Sequence, residues 1–201
     1  MKNRWVSDCR GIHSGSKAVL FGKGPSLDLW NLDRGDGEVW MTINEACRRI
    51  PEADYYVMND RCVLDNLSES GWRPTAGTVI SIGVPGRTQR RRRWKKPMIF
   101  YHRGEEGIYT TGPTSADGVQ ILSIFGVKEI LLVGCDSHSN HLGREYARSI
   151  GKIPYPSFGS DGTYNERVLK ERWDQVNMYL DMAIQKTKVS VRFWHEEQAR
   201  G

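Results

Sequence analysis

Apolar positions in this chain come in short unbroken blocks separated by polar turns. Ala18-Val-Leu-Phe21 is one such block and stops at Gly22. Blocks without alternation mark strands buried on both faces of a parallel sheet. Glu38 to Ile43, Asp54 to Met58, Gly77 to Ile82 and Met98 to Tyr101 read as four further strands. Ser26 to Leu32 predicts a short helix capped by Ser26, and Asn44 to Ile50 a helical turn. Thr114 to Phe125 carries Val119, Leu122, Ile124 and Phe125 at helical spacing, and Gly126 stands where a helix stops. Glu129 to Val133 is another unbroken strand, Asn165 to Lys186 a long helix, and Val189 to Trp194 a last strand.

Alternation of strands and helices predicts an α/β fold: a single Rossmann-like, mostly parallel sheet with helices on both faces. The pattern contains no repeats and no interdomain linker, so residues 1–201 read as one domain. Ser137 to Gly162 is polar, rich in Gly, Ser and His, and lacks periodicity. Loops of that length are usually lids or binding loops, which makes residues 137–164 the expected lid.

Composition narrows the class. The chain is 38% hydrophobic and 26% charged, as expected of a globular rather than a disordered protein. No apolar run approaches the roughly 20 residues of a membrane span. The N-terminal residues lack the apolar core of a signal peptide, so a cytoplasmic location is expected. Four cysteines, Cys9, Cys47, Cys62 and Cys135, form no CxxC pair and no zinc pattern. They read as free thiols, with Cys47 and Cys135 filling the core. The net charge is +5, and much of the excess lies in a basic loop over residues 86–97. Arg90, Arg91, Arg92, Arg93 and Lys95 there would attract a polyanion, and Trp94 could stack on a base or sugar. The plainer reading is a solvated loop that keeps the chain in solution.

In open parallel sheets, ligands bind beyond the carboxyl ends of the strands. Four polar clusters fall at such ends: Gly22 to Ser26, Asn44, Asn59-Asp60, and Asp136 to His141. The loop Gly22-Lys23-Gly24-Pro25-Ser26 follows a strand and opens a helix, the setting in which backbone amides cradle phosphate. It lacks the third glycine of a dinucleotide fingerprint and the GK[ST] of a P-loop. Asn44 and Asn59 offer donors and acceptors suited to a base edge or a sugar hydroxyl; singly, each would be an ordinary turn residue. Asp60 and Asp136 could hold a divalent metal, or Asp136 could orient a histidine. His138 and His141 beside Asp136 are candidate general bases, against the alternative of exposed loop histidines. Thr114 and Ser115 open the long helix and could either cap it or bind an anionic group.

Taken in order, these motifs resemble the bacterial sialyltransferases of glycosyltransferase family 42 and the related flagellin-glycosylation and pterin pyrophosphokinase families. The residues that carry the resemblance are GKGPSL at 22–27 and GVKEILLVGCD at 126–136, within residues 17–136. It implies a nucleotide-sugar co-substrate of CMP-sugar type, no metal and no further cofactor. It implies donor contacts at Gly22, Gly24, Pro25, Ser26, Asn44 and Asn59, with Thr114-Ser115 also lining the donor site. The family's GIDFY is here Gly134-Cys135-Asp136-Ser137-His138, so lid tyrosines Tyr155 and Tyr164 are the substitutes for its donor-contacting aromatic. No histidine precedes the last long helix, which leaves the base open among His138, His141 and Asp136.

The expected function is an inverting, metal-independent glycosyltransferase. Its donor would lie on Gly22, Lys23, Gly24, Pro25, Ser26, Asn44, Asn59, Asp60, Thr114 and Ser115. Its acceptor would be a glycan or a polyanion, such as the hydroxymethylated DNA of a phage, met by Arg90 to Lys95. Two alternatives use the same residues differently. A nucleotide-dependent diphosphotransferase would need magnesium on Asp60 and Asp136. A nucleic-acid-binding protein without catalysis would work through the basic loop alone.

Overall fold

The computed structural model describes residues 4–59, 61–75, 77–82, 98–102, 108–109, 113–135, 147–151 and 166–194. Within them, eight strands form one sheet, and every pairing is parallel. The strands are β1 (Arg4–Trp5), β2 (Lys17–Phe21), β3 (Val39–Ile43), β4 (Tyr55–Val57), β5 (Thr78–Ile82), β6 (Met98–Tyr101), β7 (Glu129–Val133) and β8 (Ser190–Phe193). Among the described residues three α-helices accompany them: α1 (Arg61–Glu69), α2 (Thr114–Ile124) and α3 (Glu166–Lys186). The expected α/β sheet is therefore present, and its six central strands and two long helices fall where the apolar blocks placed them.

The spatial order is β1-β6-β5-β4-β3-β2-β7-β8. From β2 the chain steps neighbour by neighbour to β6, then returns through α2 to β7 on the other side of β2. The direction of travel thus reverses between β2 and β7. All five residues of β3 are buried, as are the last four of β2. One face carries Leu20, Met41, Val57 and Ile80 against α2 and against Leu180 and Ala183 of α3. The other carries Phe21, Trp40, Tyr56 and Val79 against Val63 and Leu67 of α1 and against 3-10 turns at Pro25–Leu29, Asn44–Arg48 and Arg148–Ile150.

One expectation is corrected, and two elements, β1 and α1, were not expected. The helix expected over Ser26 to Leu32 is a 3-10 turn at Pro25–Leu29 with Gly24, not Ser26, at its N-cap. β1 is too short to carry a pattern. In α1, Val63 and Leu67 stand four residues apart and both are buried, a helical signal amid a polar sequence.

Helix α2 ends as its sequence demands. Gly126 has φ +87, its amide donates to Ser123 O, and Val127 N donates to Leu122 O, a Schellman arrangement. The carbonyls left over are taken by the N-terminal segment. Gly11 N, His13 N and Gly15 N donate to Ile124 O, Phe125 O and Gly126 O at 3.0, 2.8 and 3.0 Å.

His13 also meets the amino edge of the sheet, with its Nε2 2.8 Å from the Tyr55 hydroxyl. Burial holds the imidazole below its ordinary value, against the opposing pull of the Asp54 carboxylate. An unfolded histidine titrates near pH 6.5, roughly. The unfolded chain therefore binds this proton first as pH falls. The resulting stability is complete above that value and is lost as pH drops through the lowered folded value. Between pH 7.5 and 5 the urea midpoint is expected to drop less in His13→Gln than in the parent. An equal drop in the two would contradict this assignment.

Candidate functional site

The carboxyl edge of the sheet gathers Gly22 to Ser26 after β2, Asn44 after β3, Asn59 after β4, Ile82 at the end of β5, Tyr101 at the end of β6 and Gly134-Cys135 after β7. The first turn of α2, with Thr114, Ser115 and Asp117, reaches the same edge, because Asp117 bonds to both Asn59 and Tyr101. Crevices at the point where strand order reverses are where such folds bind ligands. Here that point lies at the carboxyl ends of the paired strands β2 and β7, flanked by the glycine loop and Gly134.

Gly22 serves packing, and the backbone of its loop bonds to the end of β7. Gly22 N donates to Val133 O and Gly24 N to Gly134 O, both at 2.7 Å. Gly134 N in turn donates to Ser26 Oγ at 2.8 Å, and Ser26 is fully buried. A Cβ on Gly22 would lie 2.3 Å from Gly134 O, and one on Gly134 would lie 2.5 Å from Gly22 O. The two loops thus zip together beyond the ends of β2 and β7. The Gly22 and Gly24 amides and the Ser26 hydroxyl oxygen, expected at the phosphate, bond in this structure to the end of β7 and the loop after it. Pro25 is buried at the start of the 3-10 turn.

Lys23 leaves the same loop and places its Nζ 3.1 Å from Glu45 Oε2. Glu45 is fully buried, and neither of its oxygens has a partner in hydrogen-bond geometry, so the ion pair is its main compensation. A buried carboxylate stripped of its cation is costly. Since Lys23 is one-fifth exposed, Lys23→Met is expected to cost about 2 kcal/mol, and Glu45→Gln in that background to restore part of it. Denaturation of the two variants checks this, and a Glu45→Gln change that recovers nothing would refute it.

Asn44 is the one described non-glycine residue with positive φ, at +53. It is 7% exposed, and its Oδ1 is buried without a hydrogen-bond partner. Asn tolerates the left-handed region better than most residues, but the conformation still costs energy. Asn44 thus combines a left-handed backbone with a buried, unpartnered amide oxygen at a strand's carboxyl end.

Asn59 is half-buried and differently employed. Its Nδ2 donates to Asp117 Oδ2 at 2.7 Å, and its Oδ1 accepts from Ile82 N at 3.4 Å. Tyr101 Oη donates to the same Asp117 oxygen at 2.7 Å. Thr114 is buried and Ser115 half-buried at the start of α2, whose N-cap Pro113 offers no side-chain cap. The adjoining turn at Arg148–Ile150 is clamped onto the glycine loop. Ala147 N donates to Lys23 O at 2.8 Å, and Asp28 accepts from Arg148 N and Ser149 N at 2.7 and 2.9 Å. Arg48 Nη1 donates to Ile150 O at 3.0 Å.

Glu45, Asp117 and Tyr101 were not singled out by sequence. Asp117 and Gln120 are polar residues three apart in the apolar run of α2, which was the available signal. Cys47 and Cys135 are buried as expected, and burial pushes the Cys47 thiol well up, so it stays protonated. Asp60, Asp136, His138, His141, Tyr155, Tyr164 and the basic residues Arg90, Arg91, Arg92, Arg93, Trp94 and Lys95 lie outside the described residues. Among the described residues no cluster of three potential metal ligands occurs, and no helix is long and apolar enough to cross a membrane. No protein-family model, curated protein or solved structure matches the chain.

Proposed function

We propose that this chain is a nucleotide-sugar-dependent glycosyltransferase whose donor nucleotide lies in the crevice at the carboxyl edge between β2, β3 and β4. The observation that carries the reading is Asn44, strained, buried and with an unused acceptor, beside the point where strand order reverses. That oxygen is closed off in this structure, so a ribose hydroxyl or an exocyclic amine of a base would meet it once the Asn44 side chain turns outward. The Thr114-Ser115 start of α2 carries the positive end of a helix dipole at the same edge, which suits the donor phosphate better than the occupied glycine amides do.

In the reaction, the acceptor hydroxyl oxygen attacks the anomeric carbon from the face opposite the nucleotide. The bond from that carbon to the phosphate oxygen breaks, and its electron pair leaves with the nucleoside monophosphate. The hydroxyl proton passes to a base, for which His138, His141 and Asp136 are the candidates. The resemblance to CMP-sugar enzymes supports the donor class. The basic segment supports a polyanionic acceptor, such as modified DNA, alongside a glycan.

The test is nucleotide release from CMP-sugar donors in the presence of hydroxymethylated DNA or a glycan, followed by phosphorus NMR. Release in excess EDTA with inverted anomeric configuration is expected. Release only with added magnesium, or none with any donor, would overturn the reading.

A further inference from the structure

Three strand ends are tied to one carboxylate. Asp117 is fully buried in the first turn of α2, and its Oδ2 accepts from Tyr101 Oη at the end of β6 and from Asn59 Nδ2 just beyond β4. Asn59 is tied in turn to the end of β5 through Ile82 N. The chemistry of these partners fixes the Asn59 amide in one orientation. A backbone N–H can only donate, so it selects Oδ1, and a carboxylate oxygen selects Nδ2. Two of the four hydrogen bonds that an Asn side chain can form are then made, leaving one N–H and one lone pair. Asn59 is only half-buried, so its side chain is not sealed in the core.

We infer that Asp117 is a positioning residue for nucleotide recognition. It does not touch the ligand but locks the Asn59 amide so that a donor and an acceptor are presented together, a pairing complementary to the edge of a nucleobase. Tyr101 shares the carboxylate and holds it in place. The inference rests on the nucleotide reading above and extends it to a residue that the ligand does not reach. Preorganisation of this kind raises affinity because the amide's rotation is already restricted before binding.

The signature is coupling. Using CMP as the probe and calorimetric titration of the full chain, Asn59→Ala and Asp117→Ala are each expected to weaken binding about tenfold. The double variant should be no weaker than Asn59→Ala alone, since Asp117 acts only through Asn59. Tyr101→Phe removes one of the two bonds that hold the Asp117 carboxylate, so it should weaken CMP binding, by less than Asp117→Ala does. A merely structural Asp117 would instead give losses that follow stability across all variants. Independent of any substitution, one Nδ2 hydrogen of Asn59 in the parent chain should exchange with solvent measurably more slowly than the other. Additive losses, unchanged binding in Asp117→Ala, or equally fast exchange of both hydrogens would each overturn the inference while leaving the nucleotide reading standing. A parent chain that binds no nucleoside monophosphate overturns both.

Discussion

Gly22→Ala is expected to destabilise the fold by about 3 kcal/mol, a large effect for one added methyl group. The new Cβ would sit 2.3 Å from Gly134 O and 2.9 Å from Cys135 Sγ. The first of these neighbours is backbone, so no side-chain rotation relieves the contact. Relief requires the β2 and β7 loops to part, which breaks the bonds from Gly22 N to Val133 O and from Gly24 N to Gly134 O. The consequence separates two roles for the loop. If its glycines served only to admit phosphate, the alanine variant would keep its stability and lose ligand. If they serve packing, the urea midpoint falls sharply before any ligand is added. An unaltered midpoint would refute the packing role.

Asn44→Gly is expected to move stability and binding in opposite directions. Glycine adopts φ +53 without the steric cost that Asn bears, and it removes an oxygen that is buried without a partner. Against this stand the greater freedom of glycine in the unfolded chain and the packing that the Asn side chain supplies. The balance favours the variant by about 1 kcal/mol. The same change removes the acceptor assigned to the nucleotide, so CMP affinity should fall about tenfold or more. A gain in stability with a loss of affinity is the mark of a residue kept for binding. Loss of both would make Asn44 a structural turn residue.

Much of this fold can be read from local sequence because burial on both faces leaves unbroken apolar runs. β2, β3 and β7 are the clearest cases, and Gly126 marks the end of α2 as a C-terminal glycine should. The site is less legible, for a physical reason. Gly22 is glycine because Gly134, far along the chain, approaches it, and a strand-glycine-helix pattern looks the same whether the glycine admits phosphate or a neighbouring loop. Asp117 gains its meaning from Asn59 and Tyr101, partners brought near only by the order of strands. Asn44 and Asn59 could be found because they end strands. What distinguishes them, one unsatisfied and strained and the other locked by a carboxylate, depends on tertiary structure. β1, two residues long, leaves no periodic trace at all.

The most direct test of the nucleotide site is a titration of the isotopically labelled chain with CMP, following side-chain amide resonances by NMR. Assignment comes from Asn44→Gly and Asn59→Ala. A site at the carboxyl edge predicts that the Asn44 and Asn59 side-chain amides shift together and saturate at one CMP concentration, while His13 at the opposite edge stays still. Asparagine resonances that do not move, or shifts confined to the surroundings of His13, would contradict it.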